Sequence, residues 1–254
     1  MKEGFLSSGG YKVHYAMWGE AGAKLLLIHS MDHLAESLQE SHRILSLTIL
    51  GHGDSSLPTG HLPLPVHAEV MRDCYTQLGF TPCILVGHSV GGMMGMVLTA
   101  EHPEEFKGLV LVDIAPFEST GRATRPEPPD SFTLEEARGW LGERFPGVTD
   151  YYYENRLKYA FNRSGERLSL KPRGDSVRSG LAVDLWPYVE RITAPTLLLA
   201  GEESTLVTPG TRSRMQETMP SLEVVVVEGT GHMIPQDKPE KFLGLVRGFL
   251  DGVW

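Results

Sequence analysis

One serine in this chain is placed to act as a nucleophile. Cys83-Ile84-Leu85-Val86 is a short apolar, β-branched run that passes directly into Gly87-His88-Ser89-Val90-Gly91-Gly92. A helical pattern (Met93, Met94, Met96, Val97, Leu98, Ala100) follows at once. Strand, tight turn and helix is the context that gives Gly-x-Ser-x-Gly a meaning. The serine must sit near forbidden backbone space, and glycines two residues to either side let strand and helix approach without Cβ clashes. Its hydroxyl then lies at the amino end of a helix, where backbone N–H groups receive negative charge.

A serine hydroxyl is a poor nucleophile near neutral pH, so it needs a base, and the base needs an acid to orient it. The chain has ten histidines, so composition does not choose among them. Position does. His232 lies in Gly229-Thr230-Gly231-His232-Met233, after the run Val224–Val227 and before a final helical pattern. That loop reaches the same sheet edge as Ser89, which makes His232 the expected general base. His88 sits inside the turn and is expected to point its side chain away. His29 and His52 read as structural residues near the site.

The elements that position these groups follow from periodicity. Tyr11–Trp18 alternates as an edge-type strand, Leu25–Ile28 is a buried strand, and Arg43–Leu50 reads as the next. Pro65 opens a helix through Leu78 that Gly79 stops, and Val90–Glu101 is a helix ended by Pro103. Leu109–Val112 is a strand closing on Asp113. The strand rhythm resumes at Pro195–Gly201, repeats at Val224–Val227, and gives way to a helix over Lys238–Leu250. The alternation predicts an α/β fold: a mostly parallel central sheet flanked by helices. Between Pro116 and Trp186 the character changes to helical pieces rich in aromatics. This segment reads as a small helical lid, its aromatic stripe forming lid core, so the expected organisation is a core of 1–115 and 190–254 with a lid over 116–189.

At 254 residues the chain is long enough to bury a full core. A formal net charge of −9 argues against nucleic acid or an anionic membrane surface as partner. Cys74 and Cys83, the only two cysteines, lie near apolar segments and read as a buried, reduced pair, which fits a cytoplasmic protein. The first ten residues have no signal-peptide pattern, and no apolar run approaches the roughly 18 residues that span a bilayer. No metal-ligand spacing such as Cys-x-x-Cys or His-Glu-x-x-His occurs. Neither metal nor cofactor is expected, and the pattern does not speak to oligomeric state.

Over nearly its whole length the chain resembles the α/β-hydrolase superfamily. The resemblance rests on Leu27-Ile28-His29, Gly51-His52-Gly53-Asp54-Ser55, the elbow at Ser89, Leu111-Val112-Asp113, Pro195–Gly201 and Gly231-His232. It implies the α/β-hydrolase fold. Serine at the nucleophile position is similar to esterases, lactonases and C–C hydrolases, and unlike haloalkane dehalogenases and epoxide hydrolases.

Two positions depart from the superfamily pattern. Many members carry Gly-x-x-Asp after the strand before the last, and here that stretch reads Gly201-Glu202-Glu203-Ser204. A subgroup of small esterases with serine there takes its acid from an earlier strand ending Val-Asp-Ile-Ala-Pro, and this chain has Val112-Asp113-Ile114-Ala115-Pro116. The resemblance therefore points to Asp113 as the acid, with Glu203 or Glu202 as alternatives. The second departure is His29-Ser30-Met31-Asp32-His33, where members usually have His-Gly. The expected oxyanion donors are the backbone N–H groups of Met31 and Val90. Ser30 is a candidate substrate contact at the pocket mouth, as are His29 and His88. Asp32 and His33 read as solvated loop residues, with a substrate-facing position as the alternative.

These residues predict a serine-dependent hydrolase of small carboxylic esters working through an acyl-enzyme. A lactonase, a C–C bond hydrolase or a cofactor-free lyase would use the same triad, and a non-catalytic ligand-binding homologue is the remaining reading.

Overall fold

The computed structural model describes residues 1–28, 31–116, 128–146, 148–171 and 183–253. The chain begins with β1 (Lys2–Ser8), β2 (Tyr11–Trp18), β3 (Ala23–Ile28), α1 (Asp32–Leu38), β4 (His42–Leu47) and α2 (Leu64–Gln77). There follow β5 (Cys83–His88), α3 (Val90–Glu101), a 3₁₀ turn at Pro103–Glu105 and β6 (Phe106–Val112). Between β6 and the next sheet strand lie α4 (Leu134–Arg144), α5 (Asp150–Tyr159), β7 (Phe161–Ser164), β8 (Arg167–Leu170) and α6 (Trp186–Val189). The chain ends with β9 (Thr196–Gly201), α7 (Pro209–Thr218), β10 (Leu222–Val227), α8 (Ile234–Asp237) and α9 (Pro239–Val253).

Eight strands form one sheet in the order β1-β2-β4-β3-β5-β6-β9-β10. Pairing is parallel from β4 through β10, and only β1 with β2 and β2 with β4 run antiparallel. Successive side chains on a strand point to opposite faces, so a run of apolar residues feeds two cores at once. Leu26, Ile28, Leu85, Leu109, Leu111 and Leu198 enter one core with α2, α3 and α6. Leu25, Leu27, Ile84, Val86, Val110, Val112 and Leu197 enter the other with α1 and α9. Both buried cysteines are free of disulfides. No helix among the described residues is long and apolar enough to cross a membrane.

Several sequence expectations need correction. Tyr11–Trp18 is not the sheet edge, because β1 pairs along its whole length. The signal was Gly9-Gly10, a two-residue turn with both φ positive that closes a tight hairpin on Tyr11. The strand read over Arg43–Leu50 stops at Leu47. The inserted segment is not all helical: β7 and β8 form an antiparallel hairpin around Gly165, whose φ is +58°. With α4 they bury a small core of Phe132, Ala137, Leu141, Phe161 and Leu168. Leu185 and Val189, at the end of that segment, pack into the core shared with α3.

Candidate active site

Register brings the carboxyl ends of four neighbouring strands together. His88 is level with Val112 across β5 and β6, Val112 with Leu199 across β6 and β9, and Gly201 with Val227 across β9 and β10. Ser89, Asp113, Ser204 and the loop carrying His232 therefore leave the sheet along one edge. This is the edge at which parallel α/β sheets place their ligands.

Ser89 adopts φ +54° and ψ −122° between β5 and α3. The turn is this tight because the strand and helix backbones nearly touch. A Cβ at Gly87 would lie 2.5 Å from the Gly91 carbonyl carbon, and one at Gly92 would lie 2.5 Å from Ile114 Cγ2. The close approach on the helical side thus falls on Gly92. The Ser89 carbonyl accepts from Gly92 and Met93 N–H, which starts the helix. As the first residue of α3, Val90 has an N–H with no intrahelical acceptor.

Asp113 is fully buried and also has positive φ, +43°. Among the described residues, Ser89 and Asp113 alone are non-glycine residues in this region, a conformation costing about 1–3 kcal/mol each. Two such residues at the ends of paired strands make this edge the candidate site. The Asp113 carboxylate accepts three hydrogen bonds: Gly201 N–H to Oδ1 at 3.0 Å, Ser204 Oγ to Oδ2 at 2.8 Å, and His232 Nδ1 to Oδ2 at 2.9 Å. A carboxylate only accepts, so His232 Nδ1 carries the proton of this bond.

The loop behind His232 is held closely. Thr230 Oγ1 donates to the Val227 carbonyl, Glu203 N–H to that of Thr230, and a Cβ at Gly201 would strike the carbonyls of Thr230 and Gly231. His88 Nε2 donates to the His232 carbonyl at 2.9 Å, with the two rings 4.7 Å apart. His88 is thus buried, with Nε2 committed to the His232 backbone.

Glu202 and Glu203 are both exposed. Glu202 Oε2 accepts from Gly229 N–H, which ties the turn after β10, and the carboxylate at His232 Nδ1 belongs to Asp113. Met31 is fully buried and precedes α1, its carbonyl accepting from Leu34 and Ala35 N–H. Asp32 and His33 are not loop residues: they open α1, and His33 is buried. Burial raises the Asp32 carboxyl to about 6 against the opposing pull of Arg156 and Lys171. His29 and Ser30 lie outside the described residues.

A model of the alpha/beta hydrolase family matches residues 14–245. The chain belongs to this family. An sn-1-specific diacylglycerol lipase of Mus musculus is 28% identical over 243 residues, 87% of this chain and 76% of that protein. A 2-(acetamidomethylene)succinate hydrolase of Mesorhizobium japonicum is 26% identical over 249 residues, 91% of this chain and 89% of its own. The solved structure of an E-2-(acetamidomethylene)succinate hydrolase superposes with a TM-score of 0.81 at 23% identity, covering 98% of this chain and 100% of its own. Family and relatives together support a hydrolase role for the chain.

Among the described residues, one cluster of this hydrolase has metal-ligand types. His102, Glu104 and Glu105 bring ligand atoms within 4.8 Å of one another at the far end of α3 from Ser89. The Glu105 carboxylate is already taken up by Arg72 at 2.6 Å and Tyr75 at 2.8 Å, so its oxygens are not presented to an ion.

Proposed function

We propose that this family member is a serine-dependent hydrolase of small carboxylic esters, working through an acyl-enzyme. The observation that carries the reading is the chain of contacts from buried Asp113 to Nδ1 of His232, beside a serine with positive φ on the adjacent strand end. Ser89 attacks the carbonyl carbon, and His232 Nε2 takes the hydroxyl proton and returns it to the leaving alcohol. Asp113 holds the imidazole and balances its charge. The N–H groups of Met31 and Val90 stabilise the tetrahedral oxyanion, worth about 3–4 kcal/mol per donor in comparable sites. Water then attacks the acyl-enzyme by the same proton route in reverse. Residues 116–189 are the lid in this reading, and the buried free thiols of Cys74 and Cys83 support a cytoplasmic location.

The test is labelling of Ser89 by a fluorophosphonate together with turnover of short p-nitrophenyl esters. Stoichiometric labelling with turnover is the expected result. Labelling without ester turnover would replace the ester reading with lactone, C–C or lyase chemistry on the same triad. Absence of labelling, with ligand binding retained, would make the chain a non-catalytic homologue.

A further inference from the structure

α1 matters out of proportion to its length. It has seven residues and no side-chain N-cap, and it begins directly after Met31. A helix this short does not hold itself together, so its position is set by what it packs on. Its inner face is the buried row His33, Leu34, Ala35 and Leu38. At its carboxyl end, Arg247 of α9 donates to the Ser37 carbonyl at 2.9 Å. Its outer face carries Glu36, and that carboxylate is where α5 attaches.

Three α5 side chains converge on it. Lys158 Nζ lies 2.5 Å and Tyr159 Oη 2.6 Å from Oε1, while Tyr151 Oη reaches toward Oε2 at 3.5 Å. Tyr151, Lys158 and Tyr159 are seven and eight residues apart, hence on one face of α5 two turns along. Lys158 Nζ also lies 4.6 Å from the Tyr159 ring centroid, so the two donors support each other. One turn further toward Met31, Asp32 shares the Glu36 face of α1. The grip of α5 is therefore on the face that runs to the expected oxyanion donor.

We propose that Glu36 is a positioning residue: through Lys158 and Tyr159 it fixes α1 against the lid helix, and so fixes where the Met31 N–H points. The proposal rests on the serine hydrolase reading above. Oxyanion stabilisation depends on donor placement at the ångström level, and a misplacement of about 1 Å is enough to cost about 100-fold in rate. The Glu36 carboxylate is taken up by Lys158, Tyr159 and Tyr151. It acts through the helix.

The experiment compares Glu36→Ala, Glu36→Gln and the double variant Lys158→Met/Tyr159→Phe, which leaves α1 itself unchanged. Rates are normalised to sites titrated with fluorophosphonate, and each variant is measured for kcat, KM and inhibition by an alkylboronic acid, which forms a tetrahedral adduct on serine. Glu36→Ala and the double variant are expected to lower kcat per titrated site about tenfold or more and to weaken the boronate by a similar factor, with KM little moved. Glu36→Gln keeps an oxygen acceptor for both donors and recovers most of the loss. A purely structural role would lower the number of titratable sites without changing kcat per site, and that result would overturn the proposal. So would unaltered boronate affinity in both altered clasps. A wild type that neither labels nor turns over sinks the Ser89 reading and this proposal with it, whereas an active wild type with indifferent variants sinks this proposal alone.

Discussion

Ser204 Oγ stands 2.8 Å from Asp113 Oδ2, and its orientation is dictated by two backbone donors. Leu206 and Val207 N–H both donate to that oxygen at 3.1 Å, so its own proton is left to point at the carboxylate. Many superfamily members carry an acidic residue where this chain has Ser204. Here the hydroxyl and the Gly201 N–H instead solvate an acid that arrives from the neighbouring strand. The loop after β9 has kept its place in the network and exchanged an acceptor for a donor.

This exchange makes the acid testable by substitution. Asp113→Asn is expected to lower kcat by about 10³- to 10⁴-fold, because an amide either donates toward Nδ1 or fails to balance the imidazolium. Glu203→Gln should stay within about twofold, a surface substitution with little effect. The double variant Asp113→Asn/Ser204→Asp places a carboxylate beside the vacated position and should recover at least about tenfold over Asp113→Asn alone. Equal losses in Asp113→Asn and Glu203→Gln, measured as kcat on one ester, would remove Asp113 from the role proposed for it.

Ser204→Ala isolates the hydroxyl. It deletes one hydrogen bond to a charged group, an interaction of roughly 1.5–3 kcal/mol, and strands the Leu206 and Val207 N–H groups. We expect kcat to fall about tenfold, with KM nearly constant, since the bond steadies the imidazolium formed on the way to the transition state. Ser204→Asp should be worse than Ser204→Ala, because two carboxylates this close cannot both ionise without cost. Activity of Ser204→Asp at or above the wild-type level would mean that Asp113 and residue 204 do not share one site.

Much of the fold is readable because parallel strands buried on both faces are continuous apolar runs. Leu25–Ile28, Cys83–Val86 and Leu109–Val112 announce themselves in this way, and Val90–Glu101 runs between the same bounds in sequence and structure. β1 is less legible since Lys2–Ser8 alternates weakly and is mostly exposed, so only the Gly9-Gly10 turn betrays it. The β7–β8 hairpin has four-residue strands that no period can define. In the site, Ser89 and His232 are tied to local motifs. The residues alone leave Asp113, Glu203 and Glu202 open as the carboxylate. The resemblance at Val112–Pro116 favours Asp113, and the contact with His232 Nδ1 itself depends on the register of β6 against β9, which is long-range. Glu36 is equally silent, because its partners lie more than 110 residues away.

Glycines of the elbow and of α3 should differ sharply in tolerance. At Gly87 an added methyl meets the backbone of Gly91 and Gly92, which cannot move without opening the turn. Gly87→Ala is expected to cost about 3 kcal/mol and to suppress fluorophosphonate labelling in whatever protein folds. At Gly95, further along α3, the methyl meets Leu85 Cδ2 at 2.9 Å and Leu109 Cδ1 at 3.0 Å, the far ends of flexible side chains. There the helix propensity gained offsets the repacking, and Gly95→Ala should stay within about 1 kcal/mol of wild type with labelling intact. Denaturant midpoints for the two variants check the contrast, and equal destabilisation would refute it.

His67 sets a pH dependence of stability that is separate from catalysis. It is almost fully buried in α2, and its Nε2 accepts the Leu50 N–H at 2.9 Å, a bond only neutral imidazole makes. Burial, aided by nearby His52, pushes it down to about 3 from the ordinary 6.5. Above pH 6.5 the ring is neutral in both folded and unfolded chains and contributes no slope. As pH falls from 6.5 toward 3, the unfolded chain binds the proton and the folded one does not, so stability drops by roughly 1.4 kcal/mol per unit. Buried His33, lowered to about 4, adds to the same loss over a narrower range. In His67→Gln the amide oxygen can take over as acceptor for Leu50 while nothing titrates. Urea unfolding between pH 7 and 4.5 should therefore show a shallower fall in the variant, by about one proton's worth of slope. The same slope in wild type and variant would mean that His67 is already protonated, or solvated, in the folded protein.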